Sequence, residues 1–510
     1  MWRGGSSLPA RQRGQALIFI GITTVIVLLG VILLYNVAQL TTQKMKLQNT
    51  ADAAAYSGVL LEARDYNFSA YANRAMIANQ VTVAQLIGTI SWLRNLDNVY
   101  RSGTFTAVPQ SFASLSALGA MWTTVWNAIR VVVGGANAVA SAAGFAVKAL
   151  NIWIDLLYGG STAYHLAMVL TVPQVVVDVI DENDPDASLS PSATQIAFAL
   201  KHAYDVYAFT SLYDPQKTSG GDVDSSTGAG GSEDRQANVV FNSQDGWYNF
   251  RSYPWPLPLL IDPTKFIPGN FGTAFMIMYH SGGTEMKDTV NNNKKFSTWT
   301  ALDATGTFVL LMVWIFVPFP VPIPIPLPLP QGHGASYCGQ ATPSLSPGSG
   351  NFNHNFAESY GSAFVNPLTI AAAGIQVGKG PGANVDSRCG LRPYWDVTKR
   401  TTNDPNLLGP ELLIEVKKNI SKITISTSTG LQIGKGTTGN GQLWMPAATE
   451  GDEIRALSKA QTYFSRPPKL FARGDGKTEY GSLYNPYWQA RLLPNSILEQ
   501  GASIVSAAFP

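Results

Sequence analysis

The chain has 510 residues, of which 13% are charged, and its formal net charge of +2 is spread without a basic block, which excludes a nucleic-acid footprint. That length exceeds one ordinary core, so an anchor and two or three packed units are expected. Low charge together with plentiful Gly, Ser, Thr, Asn and aromatic residues fits an envelope or extracellular protein. The two cysteines, Cys338 and Cys389, exclude a disulfide-dense scaffold. They leave two readings, one bridge in an oxidising compartment or two buried thiols, and an exported location favours the bridge.

From Ala16 to Val37 the sequence ALIFIGITTVIVLLGVILLYNV carries no charge and is long enough to cross the hydrocarbon core as a helix. Thr23 and Thr24 are tolerable inside it because their hydroxyls can bond back to the preceding turn. A cleavable secretory signal would have a shorter apolar region and a small-x-small site, and Ala38 offers no such site. Arg3, Arg11 and Arg13 precede the span, and Lys44 and Lys46 follow it. This bias favours a cytoplasmic N-terminus, with the bulk periplasmic or extracellular.

Between Gln39 and Arg101 there is no proline and much Ala, Leu, Gln and Met, so the anchor helix is expected to continue outward. Leu40, Met45, Leu47, Ala51, Ala54 and Val59 share a broad apolar face that needs a partner. A second helical region is read from about Phe112 to Ile180, and its charge-free run Val131–Val147 fits packed helices better than a second crossing. A further helix is expected over Ala193–Tyr213, after the polar break at Asp181–Ser192.

Composition changes at Asp214, where residues 214–236 are rich in Gly, Ser and Asp and read as a linker or loop. Residues 237–510 carry short apolar runs broken by Gly, Pro and Asn, together with the alternating ITISTSTGLQIG near Ile423, and are expected to contain β-structure. Two related sequences, GIQVGKG at Gly374–Gly380 and GLQIGKG at Gly430–Gly436, suggest a pair of hairpins. Prolines occupy every second position from Pro318 to Pro330, which forbids a helix and favours an extended arm. The fold class expected is α+β. A single N-terminal transmembrane helix (residues 15–38, after a tail of residues 1–14) continues into a helical exported region (39–213), followed by a β-containing distal domain.

Motifs for chemistry are missing. Gly434-Lys435 is followed by Gly436 where a phosphate loop needs Ser or Thr, and the Asp222-Val-Asp224-Ser-Ser226 run lacks the rest of a calcium loop. His165, His202, His280, His333 and His354 show no paired metal spacing and read as structural. No GxSxG elbow, redox CxxC pair or carboxylate dyad can be nominated. The expectation is no catalytic residue, no metal, no cofactor, no small-molecule substrate and no enzyme activity.

Arg13–Asp65, RGQALIFIGITTVIVLLGVILLYNVAQLTTQKMKLQNTADAAAYSGVLLEARD, resembles the N-terminal region of Tad (Flp) pilus-assembly proteins of the TadE/TadG-like group. Arg13 to Leu17 carry the match before the span, and Leu47, Gln48, Asn49 and Ala51 to Ala55 carry it afterwards. AQTYFSRP at Ala460–Pro467 and LYNPYWQARL at Leu483–Leu492 look like the tail of larger members. The resemblance implies a non-catalytic membrane-anchored component of pilus assembly or surface attachment. Its partners would be the inner membrane and other pilus-assembly or envelope proteins. Gln48, Asn49, Ala51, Asp52, Ala54 and Ala55 form a small-residue patch where a helix could approach closely, with the alternative of an ordinary packed face. Pilin-like relatives are cleaved after a Gly and carry Glu at the fifth mature position. A prepilin-type cut between Gly14 and Gln15 would put Phe19 there, which favours an anchor over a polymerising subunit. The rival readings are a minor pilin or pseudopilin in the filament, and an envelope enzyme whose site is too dispersed to read. The metal-binding function of the von Willebrand-type module that larger members can carry is not expected here.

Overall fold

The computed structural model describes residues 10–101, 117–213, 236, 239–240, 274–291, 294–315, 323–340, 354–361, 389–398, 406–423, 431–433, 443–445, 453–467, 474–475 and 478–508. Residues 214–235 of the expected linker, Gly374–Gly380, Gly434–Gly436 and Pro318–Pro322 lie outside them. So does most of the alternating segment near Ile423.

Helix α1 spans Ala10–Arg101 and helix α2 spans Ala117–Asn183. Inside the apolar N-terminal part of α1, Thr23 Oγ1 donates to Phe19 O at 2.5 Å and Thr24 Oγ1 to Ile20 O at 2.8 Å. These bonds remove the hydroxyls' need for water. Leu17, Phe19, Ile26 and Leu34 are exposed, and none of the most apolar stretch is buried. From Leu47 onward, Ala51, Ala54, Ala55 and Val59 are fully buried, so the helix changes from a free apolar cylinder to one with a packed stripe. Residues 133–183 of α2 are also long and apolar enough to cross a membrane, but 28% of their most apolar window is buried.

The chain divides into two compact units, each assembled from segments far apart in sequence. The first comprises residues 1–68, 164–210 and 403–510. Its sheet has the antiparallel order β1 (Ala187–Leu189), β8 (Leu408–Asn419), β11 (Glu453–Phe464), β12 (Trp488–Leu493). Strand β8 reads LGPELLIEVKKN, and residues 412–416 are all buried, as expected of a central strand covered on both faces. α1 comes close to this sheet at Gly58, where a Cβ would lie 2.7 Å from Leu412 Cδ2 and 3.1 Å from Val176 Cγ2. Helix α3, Ala193–Phe209, starts at Ser192, whose hydroxyl accepts from Gln195 N. It ends four residues before the Tyr213 expected from sequence, because Thr210 is already extended and opens the short strand β2, Thr210–Tyr213. At the far end Tyr66, Phe209, Trp488 and Phe464 form an aromatic cluster with ring centroids 5.3–5.6 Å apart. There the Asn67 amide pairs with the Trp488 backbone like a neighbouring strand, donating to its O (2.9 Å) and accepting from its N (3.0 Å). Helix α4, Ile497–Ala508, is fixed by Lys459–Glu499 at 3.0 Å.

The second unit comprises residues 69–163 and 211–402. It holds the antiparallel sheet β3 (Ala274–Asn291), β4 (Lys294–Ile315), β5 (Ile323–Gln340), β6 (His354–Gly361) and the strand β7 (Tyr394–Val397). Two further short strands, β9 (Leu431–Ile433) and β10 (Leu443–Met445), pair in the distal sequence. Residues 323–330 of the proline-alternating segment form strand β5 and pair with Phe308–Ile315. In an antiparallel strand, alternate residues direct their N–H and C=O to the same side. Pro324, Pro326, Pro328 and Pro330 therefore all lack a donor on one edge. β6 pairs only with His333–Gln340, so among the described strands the proline-bearing stretch is an edge, where proline is compatible with a sheet. α1 crosses β4 and β5 at close range. Ser91 Oγ lies 3.0 Å from both Thr305 Oγ1 and Gly334 O, and Asn95 donates to Thr307 Oγ1 at 2.9 Å. A Cβ on Gly334 would fall within 2.5 Å of Asn95 N. Buried Arg94 pairs with Glu358 at 2.7 Å, bonds Asn137 and lies over the Tyr360 ring.

Candidate functional site

Four of the six patch residues expected to receive another helix face the chain itself. Ala51, Ala54 and Ala55 are fully buried. Gln48 is half-buried and donates both to Asp52 Oδ1 at 2.9 Å and to the Leu457 carbonyl of β11 at 3.0 Å. Asp52 is partly covered and Asn49 is exposed. The small side chains thus let α1 approach the first unit's own sheet, while the Gln48–Asp52 bond orients that contact. Gly14 and Gln15 lie inside the first turns of α1. Cys338 and Cys389 are joined by a disulfide with Cα atoms 5.3 Å apart, and Asn151 Nδ2 lies 3.4 Å from the Cys389 sulfur.

Beside the first packed turns of α1, the buried Lys418 ammonium meets both oxygens of Asp184 at 2.9 and 3.0 Å, and Lys46 adds a third contact at 3.3 Å. Burial works to raise the Asp184 pKa, but its bonds to Lys418 and Lys46 outweigh this and hold it below the usual value.

One turn of α1 carries a polar group that motif reading does not isolate. Glu62, Asp65 and Tyr66 are fully buried in the same stripe as Ala51 and Val59. Glu62 Oε1 lies 2.7 Å from His202 Nε2 on α3, and His202 Nδ1 donates to the Glu411 carbonyl at 2.9 Å. Asp65 Oδ2 lies 2.5 Å from His165 Nδ1 on α2, and His165 Nε2 is 3.1 Å from Thr210 Oγ1. Burial pushes the Glu62 and Asp65 pKa values up, with their histidine partners offsetting part of the effect. Burial opposes charge on His202, yet Glu62 and the Glu411 carbonyl prevail and raise its pKa. Burial, aided by the two nearby carboxyls, pushes the Tyr66 hydroxyl well above its usual value.

Asp65, His165 and Thr210 have the order of an acid–base–hydroxyl triad, but Thr210 is buried and its hydroxyl donates to Val206 O at 3.3 Å. The group therefore holds helices together and does not present a nucleophile. Its signal in the sequence was positional. LLEARDYNF places two carboxylates three residues apart on an apolar stripe, where an unpaired charge would be costly. Among the described residues no group of three or more His, Cys, Asp or Glu is arranged to hold a metal.

Comparison with known families gives a match over the N-terminal part of α1. The family model described as Putative Flp pilus-assembly TadE/G-like covers residues 14–65. Residues 14–65 match a TadE/G-like Tad domain. The Tad domain holds the apolar span, the buried patch and the Glu62/Asp65 turn, and its family is one of Flp pilus assembly. No curated protein and no solved structure matches the chain. AQTYFSRP and LYNPYWQARL, outside the Tad domain, supply parts of β11 and β12, which pair from Lys459↔Leu493 to Phe464↔Trp488.

Proposed function

We propose that the protein is a non-catalytic, membrane-anchored component of Tad/Flp pilus assembly or surface attachment. In this reading residues 16–37 of α1 cross the inner membrane once, with the N-terminus cytoplasmic and both packed units exported. The observation that carries it is the change along one continuous helix. The Tad-matched segment starts as an apolar span whose large side chains are mostly exposed and passes directly into the helical spine of a packed unit. Such a helix transmits position from the bilayer to the exported mass without a flexible joint. Phe19 at the fifth place after Gly14 supports a stationary anchor over a filament subunit. Deleting the gene in its host and imaging surface pili tests the assignment. Loss or shortening of pili, restored by the full chain, is expected, and unchanged pili and attachment would overturn it.

A further inference from the structure

The open side of β8 is closed by a helix. Strand β1 pairs with β8 only at Val416–Lys418. Beyond that point the edge groups are taken by side chains of α3, with Glu415 N–H donating to Gln195 Oε1 at 2.7 Å and Glu411 C=O accepting from His202 Nδ1 at 2.9 Å. At the start of α3, Ser192 bonds Glu415 Oε2 at 2.8 Å. At its end, Thr210 meets His165. Both histidine links converge on α1, at Glu62 and Asp65.

Apolar packing seats α3 chiefly at its C-terminal end, where Phe209 meets the rings of Tyr66 and Trp488. Along the rest of α3 the buried residues are Gln195, His202 and Val206, with Phe198 half-buried, while Ile196, Leu200, Tyr204 and Tyr207 are exposed. The links through Gln195 and His202 are what tie the middle of α3 to the edge groups of β8.

Proton occupancy follows from the geometry. His202 Nδ1 must carry a proton to donate to a carbonyl, so the contact at 2.7 Å between Nε2 and Glu62 Oε1 needs one further shared proton. Likewise Thr210 gives its hydroxyl proton to Val206 O, so His165 Nε2–H donates to Thr210 and another proton is shared between Nδ1 and Asp65. Removing either shared proton leaves a lone pair facing a carboxylate in a buried site.

We propose that α3 is a proton-dependent latch on the edge of β8: it is shut while the two His–carboxylate pairs hold their shared protons, and it lifts when they are lost, freeing the Glu411 carbonyl and the Glu415 amide. The titratable and charged groups facing the pairs are Glu62, Asp65 and the Tyr66 hydroxyl from α1, His165 from α2, Asp205 with its partner Lys201 on α3, and Glu411 from β8. The upward pKa directions of Glu62, Asp65 and His202 agree, since each means that the shut form holds protons more tightly. Rising pH therefore opens the latch. This inference is independent of the role in pilus assembly.

The test is hydrogen exchange by mass spectrometry on the full chain in detergent micelles between pH 6 and 9, with rates normalised to the unstructured chain at each pH. Peptides covering 193–210 and 408–419 are expected to lose protection by up to about tenfold per pH unit for each proton released, while the β11–β12 pairing stays constant. The double variant Glu62→Gln, Asp65→Asn supplies amide N–H groups in place of the shared protons and is expected to flatten that slope. Glu62→Gln alone is expected to reduce it, which keeps the test available if the double variant fails to fold. A flat wild-type profile, an equal fall across β11–β12, or an unchanged slope in the variants would overturn the latch.

Discussion

His202 joins three elements through one ring: its Nε2 lies 2.7 Å from Glu62 Oε1 on α1, and its Nδ1 bonds the Glu411 carbonyl at the edge of β8. Removing Glu62 leaves the imidazole buried against an apolar void. Glu62→Ala is predicted to destabilise the first unit by about 3 kcal/mol, whereas Glu62→Gln, which can still bond Nε2, is predicted to cost about 1 kcal/mol. Urea unfolding of the purified chain, followed by Trp fluorescence, measures both.

The dependence of stability on pH has two limbs of opposite sign. Glu62, Asp65 and His202 all have raised folded pKa values, so their contribution is complete on the acid side and lost as pH rises through those values. Asp184, Glu453 and Glu499 have lowered values, so theirs is present above the ordinary carboxylate range and lost as pH falls below it. Stability is predicted to peak between the limbs. Lys418→Met should remove most of the Asp184 share of the acid limb and leave the alkaline limb in place, as read by thermal melts across pH.

The long N-terminal helix and the presence of β-structure in the distal region were legible in the sequence, because α1 has no proline and the Tad segment is contiguous. Assembly was less so. Each unit draws on segments hundreds of residues apart, such as Asn67 with Trp488, and no local pattern encodes that pairing. The end of α3 was read too far because an apolar Thr-Ser-Leu-Tyr run suits helix and strand alike. The buried carboxylates escaped motif reading because their partners, His165 and His202, stand on other helices and share no spacing with them.

Gly334 is where β5 meets the α1 backbone, and the obstacle to a side chain there is main chain that cannot rotate away. Gly334→Ala is predicted to cost about 3 kcal/mol, more than Gly58→Ala, whose nearest neighbour is the movable end of Leu412. Comparing denaturation midpoints of the two variants checks the order.

The Cys338–Cys389 bridge closes a separation of 51 residues. On loop-closure grounds its removal costs about 4 kcal/mol. Cys338→Ser, Cys389→Ser is predicted to unfold at correspondingly lower denaturant. Wild-type chain taken from the envelope and denatured without reductant should show no reactive thiol.

A stationary anchor and a filament subunit part company when pili are sheared from the cell. Shearing surface filaments from cells, locating the chain among the fractions and sequencing its N-terminus distinguishes the two most directly. A stationary anchor is expected to remain with the inner membrane and to begin upstream of Gln15. Release with the sheared filaments, beginning at Gln15, would contradict it and make the protein a pilin-like subunit despite Phe19.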